Sequence, residues 1–271
     1  MPSIIIDKNI LQGSNGEHLQ RFCAKHVLLL PQALLYEICT EDKTTNGPPQ
    51  WSIHLRKLQC LKFGVCRTLP DMFAEEMRRG LPVASIVDED ATRRLREYLD
   101  AGPAAWASSP LFITSEKRRR HQEEVVDCRK GMLKLIDEDK GAREILKIVH
   151  AKRCTRTLAI AAEAKDLTRD LWRKRRPQYA CLATVESVTY MDVVLRNYQE
   201  FRRADDGYAD MHSKSLFNEA VDRGYIVLLV HADGLVSDEG SVRKTAGAFF
   251  PDKLVWANLQ EGIDWGGISG T

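Results

Sequence analysis

Asp7 follows the apolar run Ile4-Ile5-Ile6, and Asp233 follows the longer run Tyr225-Ile226-Val227-Leu228-Leu229-Val230 by way of His231-Ala232. If both runs are neighbouring parallel strands, their carboxylates converge on one sheet edge. Two further acids are placed to join them: Glu37, about two turns into a helix, and Asp210, in the first turn of a late helix. Four carboxylates at one edge repel each other unless a cation neutralises them. Oxygen-only donors suit Mg²⁺ or Mn²⁺. Such ions activate water and offset charge during in-line attack on a phosphodiester. Each acid also has a plainer use taken singly: Asp7 as a helix cap, Glu37 as a solvated helix acid, Asp210 as a partner of the helix dipole, Asp233 as a turn residue. Asp206, four residues before Asp210, fits either a cap or a supporting acid.

The elements that must position these acids are legible from patterning. The continuous β-branched run at Ile4–Ile6 predicts a buried parallel strand, and the carboxyl edge of such a sheet is where ligands bind. Ser14-Asn15-Gly16-Glu17 has a capping-box pattern and predicts a helix to about Lys25. Val27-Leu28-Leu29-Leu30 predicts a second strand, and Pro31 leads into a helix over Gln32–Ile38. After Asn46-Gly47-Pro48-Pro49 the patterning is mostly helical to about residue 204, with a short strand expected at Val83–Val87. Long helices are expected over 115–136, 142–151, 155–175 and 189–203. A helix over 208–222 with Gly224 as its cap, a strand over 225–230 and a last strand at Leu254–Ala257 complete the pattern. The expected architecture is one α/β domain built from both ends of the chain, 1–45 and 185–271, interrupted by a long, mainly helical insertion at 46–184.

These residues resemble the PIN domain, a metal-dependent nuclease family. The resemblance is carried by three segments: IIIDKNIL, VLLLPQALLYEI and DMHSKSLFNEAVDRGYIVLLVHAD. It implies a three-layer α/β/α fold around a central parallel sheet. It also implies a Mg²⁺ or Mn²⁺ site on Asp7, Glu37, Asp210 and Asp233, with Asn9 supporting the first acid. The implied activity is endoribonuclease cleavage that leaves 5′-phosphate and 3′-hydroxyl ends. Some relatives of this kind are toxins silenced by a protein partner, so an inhibitory partner enters as an expectation. The family often carries Thr or Ser two residues before its last acid; that position here is His231. The helical middle lies outside the resemblance. A PIN-like module without catalysis, serving RNA or protein binding, is the second reading, and a structure-specific DNA nuclease the third.

Charge adds a direction. The whole chain carries a formal charge of only +2, yet residues 117–176 hold 19 Lys and Arg against 10 Asp and Glu. This stretch contains Lys117-Arg118-Arg119-Arg120 and Arg173-Lys174-Arg175-Arg176, runs that can neutralise backbone phosphates without reading sequence. His212 and His231 flank the expected site.

Other chemistries are disfavoured. No phosphate-binding glycine loop is present, and Asn9 stands where a haloacid-type phosphatase needs its second Asp. Seven scattered cysteines without C-x-x-C spacing argue for reduced thiols rather than a disulfide framework or structural zinc. With 44% hydrophobic and 29% charged residues, no membrane-length apolar run and no signal-peptide pattern, a cytoplasmic globular protein is expected.

Overall fold

The computed structural model describes residues 1–39, 50–79, 83–106, 119, 123 and 213–266. Five short strands form one all-parallel sheet: β1 (Ser3–Ile6), β2 (Val27–Leu30), β3 (Phe63–Val65), β4 (Gly234–Val236) and β5 (Leu254–Trp256). Their order is β3-β2-β1-β4-β5. The protein is thus of mixed α/β class, as its opening residues suggest. Ile4, Ile5 and Ile6 are all fully buried. Successive side chains on a strand face opposite ways, so both faces of this central strand are shielded from water. That explains the continuous rather than alternating apolar pattern.

Helices α1 (Lys8–Gly13), α2 (Gly16–Cys23), α3 (Gln32–Cys39), α4 (Gln50–Leu58), α5 (Leu69–Arg79), α6 (Glu89–Asp100) and α7 (Pro103–Trp106) lie between β1 and residue 106. Helix α8 (Ser213–Leu228) precedes β4, α9 (Gly240–Phe249) joins β4 to β5, and α10 (Leu259–Asp264) follows β5. The helix expected from the Ser14–Glu17 pattern is α2, and the short helix α1 precedes it. Asp7 caps α1 through a 2.9 Å bond from the Ile10 N–H, and Asn15, rather than Ser14, caps α2 by accepting from His18 at 2.8 Å.

The chain divides into two compact units. The first contains all five strands, with α6 packed on β3, α9 on β5 and α10 on α2. The second contains α8, whose Tyr225, Ile226, Val227 and Leu228 are buried.

Three expectations are corrected. Residues 225–228 continue α8 instead of forming a strand. An unbroken apolar run has no period to separate a buried strand from a buried helix, and Gly224 is carried inside the helix rather than capping it. The strand that does pair with β1 is Gly234–Val236, in the stretch read as a turn. The chain between 50 and 106 also contributes β3 to the sheet, so this part of the expected insertion belongs with the strands. Phe63-Gly64-Val65 is too short to show a pattern. Val87 makes a single antiparallel bridge with Cys66 in place of the expected strand. The helices expected over 115–136, 142–151, 155–175 and 189–203 fall outside the described residues, apart from Arg119 and Glu123.

Gly234 is required by close approach. A Cβ there would stand 2.5 Å from the Leu254 carbonyl oxygen and 2.7 Å from Leu254 Cβ. The obstacle is backbone of a paired strand, which cannot swing aside. Gly234→Ala is therefore expected to cost about 3 kcal/mol, the upper range for overpacking, and to lower the melting temperature by roughly 6–12 °C. Gly247→Ala, where a Cβ meets nothing within 4 Å, is the control and should be neutral or slightly stabilising. Equal melting temperatures for the two variants would contradict this packing.

Candidate functional site

Strand order reverses direction between β1 and β4: from β1 the chain winds one way to β2 and β3, and β4 and β5 lie on the other side. In open parallel sheets the crevice at such a switch point, outside the carboxyl ends of the strands, is the ligand position. Register shows what occupies it. Ile6 is level with Val236, and the Asp7 N–H donates to the Val236 carbonyl at 3.2 Å. The residues that leave the sheet side by side are thus Asp7 from β1 and Ser237-Asp238-Glu239 from β4.

Asp7 is only 6% exposed. Its Oδ1 accepts from the Ile10 N–H, so the cap and the site use the same carboxylate. Its Oδ2 is buried and receives no well-formed hydrogen bond. Burial is the largest influence on this carboxyl and pushes its pKa above the ordinary 3.8. The Ser237 hydroxyl and the Ile10 amide pull it back, while the charges of Asp238 and Glu239 push it higher. Ser237 is fully buried, and its Oγ accepts the Glu239 N–H at 3.1 Å, which leaves its own proton to favour the Asp7 carboxylate. Asn9 donates from Nδ2 to Asp238 Oδ1 at 3.1 Å. The first strand-ending motif and the β4–α9 turn are therefore joined by Asp7 with Ser237 and by Asn9 with Asp238.

Helix α1 is too short to be stable alone. It is secured at its other end by Lys57 of α4, whose Nζ donates to the carbonyls of Leu11 (2.9 Å) and Gln12 (2.8 Å). Burial lowers the Lys57 pKa. Arg243, in the second turn of α9, donates from Nη1 to the Ser237 carbonyl at 2.7 Å and braces the turn from the other side.

The other expected site residues fall as follows. Glu37 sits in the second turn of α3, the helix that leaves the carboxyl end of β2; it is half-buried and engaged by a neighbouring group. Asp233 is a correction. It precedes β4, its N–H donates to the Ser3 carbonyl at 2.9 Å, and its Oδ2 accepts from the Ser3 N–H (2.8 Å) and hydroxyl (2.9 Å). It thus stands at the amino edge, four residues from Ser237, roughly 13 Å along a strand. Ligands of one cation lie about 2.0–2.6 Å from it, so Asp233 and Asp7 cannot share an ion. Its place in the sheet fixes the β1–β4 register instead. The misplacement follows from taking residues 225–230 as the strand.

Asp206, Asp210, His212, Lys117, Arg118, Arg120, Arg173, Lys174, Arg175 and Arg176 lie outside the described residues. Arg119 is exposed and forms an i,i+4 ion pair with Glu123 at 3.2 Å.

Ser237, Asp238, Glu239 and Arg243 are what sequence reasoning missed. The signal was present: Leu235-Val236 followed by Ser237-Asp238 repeats, in miniature, the apolar-run-then-acid pattern of Ile4–Asp7. Ser237 also stands two residues before Glu239, the spacing sought without success at His231–Asp233.

Asp7 Oδ2 is a buried oxygen in want of a partner, with two more carboxylates raising the local negative potential, and oxygen donors of this kind fit Mg²⁺ or Mn²⁺. Among the described residues, no three His, Cys, Asp or Glu side chains are grouped closely enough to hold a metal ion by themselves. Cys23 and Cys66 are poorly suited to thiolate chemistry, because burial pushes the Cys23 thiol up to about 11 and the Cys66 thiol further still. No helix among the described residues is long and apolar enough to cross a membrane. Comparison with protein-family models, with curated proteins and with solved structures returned no match.

Proposed function

We propose that the protein is a metal-dependent endoribonuclease whose sheet is the core of a PIN-like three-layer domain. The observation that carries this reading is the buried, hydrogen-bond-deficient Oδ2 of Asp7 at the β1–β4 switch point, with Asp238 and Glu239 beside it. Asp7 and Asp238 hold the Mg²⁺ or Mn²⁺ ion, with Glu37 of α3 as a further oxygen donor. When bound, the ion supplies a more acidic water and offsets charge at phosphorus. The Ser237 hydroxyl and the Ile10 amide favour the charged form of Asp7, against the larger opposing effect of burial. Asn9 fixes the Asp238 carboxylate, and Lys57 keeps α1, and with it Asn9, in place. The basic stretch 117–176 attracts the nucleic-acid backbone through charge.

The test is cleavage by the full chain of single-stranded RNA and of flapped DNA, side by side with Mn²⁺, with end-group analysis. The expected result is RNA products bearing 5′-phosphate and 3′-hydroxyl ends. Preference for the flap selects the DNA nuclease, and binding without cleavage selects the non-catalytic RNA-binding module; either would overturn the proposal.

A further inference from the structure

We propose that Arg243 is a phosphate-binding residue of the Asp7 edge, taking a non-bridging oxygen of the phosphodiester presented to the carboxylates; this rests on the nuclease reading above. Arg243 is half-buried, and its guanidinium is held in place by one bond, Nη1 to the Ser237 carbonyl at 2.7 Å. Nη2 lies over Gly240, the first residue of α9, 4.0 Å from where a Cβ would stand. A guanidinium carries five N–H donors. Beyond that bond, the Arg243 side chain forms no other hydrogen bond or ion pair among the described residues.

That is an unusual state for an arginine in this setting. Asp238 and Glu239 immediately precede its helix, and Asp7 lies across Ser237, yet Arg243 pairs with none of the three. An arginine whose task was to neutralise carboxylates would form such a pair, since bidentate guanidinium–carboxylate bonds are among the strongest available. Instead, Ser237 separates the two charges: its hydroxyl side favours the Asp7 carboxylate and its carbonyl holds the guanidinium. Asp7, only 6% exposed, leaves the neighbouring strand β1 at the same edge with Oδ2 buried and without a hydrogen bond. One ligand class answers both vacant capacities: a phosphodiester accompanied by a divalent cation, whose anionic oxygens suit the planar donor fork and whose cation suits Oδ2.

The inference is tested by binding, without cleavage. Affinity of the full chain for a fluorescein-labelled single-stranded RNA is measured by anisotropy in EDTA, from 50 to 200 mM salt, for wild type, Arg243→Met and Arg243→Lys. Loss of one phosphate contact on a single strand should make the log–log salt dependence shallower by about 0.7. Arg243→Met is expected to bind about tenfold more weakly with that shallower slope. Arg243→Lys, which keeps the charge, should retain the slope and bind within about threefold of wild type. Arg243→Met also loses the bond to the Ser237 carbonyl and should melt a few degrees lower, so binding is compared at a temperature where all three proteins are folded. Unchanged affinity in Arg243→Met overturns the proposal, as does weaker binding with an unchanged slope, which would make Arg243 only a brace for the turn. Wild type that binds RNA while Arg243→Met binds it equally well removes Arg243 alone and leaves the nuclease reading standing. Wild type that binds no RNA overturns both.

Discussion

Asp7→Asn is expected to cut Mn²⁺-dependent RNA cleavage by about a thousandfold or more, roughly 4 kcal/mol of barrier, while making the metal-free protein more heat-stable. The two effects have one cause. Asn is as good a helix cap as Asp, so the Ile10 N–H keeps its acceptor and α1 keeps its start. What is lost is a negative charge in a buried position, raised in pKa chiefly by desolvation and further by Asp238 and Glu239.

The sign of the pH dependence follows. A carboxyl with its folded pKa above the unfolded 3.8 binds its proton more tightly in the native state. Its ionisation therefore costs stability as pH rises from the unfolded value through the folded one. The variant escapes that cost. Its melting temperature in EDTA should exceed wild type by about 2–4 °C at pH 7.5, on the order of 1 kcal/mol, and the gap should close as pH falls towards 4. A variant less stable than wild type at both pH values would mean that Asp7 is a structural cap and nothing more. Functional sites retain such unfavourable groups because the ligand, when present, offsets them.

Asp238→Asn and Asp233→Ala should separate the two edges of the sheet. Asp238→Asn removes one of the two charges beside Asp7 but can keep the bond from Asn9, so the β4–α9 turn should stay intact. Cleavage should fall about a hundredfold, roughly 2.7 kcal/mol, with little change in melting temperature. Asp233→Ala removes two hydrogen bonds to Ser3 at the amino edge. Its expected cost is about 1 kcal/mol of stability, because the group is exposed, with cleavage unchanged at a temperature where both proteins are folded. The reverse pattern, activity lost in Asp233→Ala and kept in Asp238→Asn, would return the fourth acid to the place that simple patterning gave it.

That contrast shows how much of this molecule can be read from its residues. Ile4–Ile6 and Val27–Leu30 were legible as parallel strands because burial on both faces requires continuous apolar runs, and Asp7 was legible because it ends one of them. The second half misled for the same reason. Tyr225–Val230 is a longer apolar run than any strand here, yet Tyr225–Leu228 closes a 16-residue helix, while the late strand that pairs with β1 is three residues long and starts with a glycine. Short strands held by neighbours on both sides need no strong local pattern. Gly234 is there for close approach to Leu254, a requirement invisible until β5 is placed. Asp238 followed as soon as β4 was found. Arg243 had no local signature at all: its meaning lies in the bond to Ser237, a contact across a turn.

The central claim, that the carboxyl edge between β1 and β4 is a divalent-cation site, is tested most directly by the melting temperature of the full chain titrated with Mn²⁺. Wild type should rise with Mn²⁺, reaching about 2.7 kcal/mol of added stability at one hundred times the dissociation constant, or roughly 5–10 °C. Asp7→Asn should stay flat over the same range. Equal shifts in the two proteins would place the ion elsewhere, and no shift in wild type would contradict the claim outright.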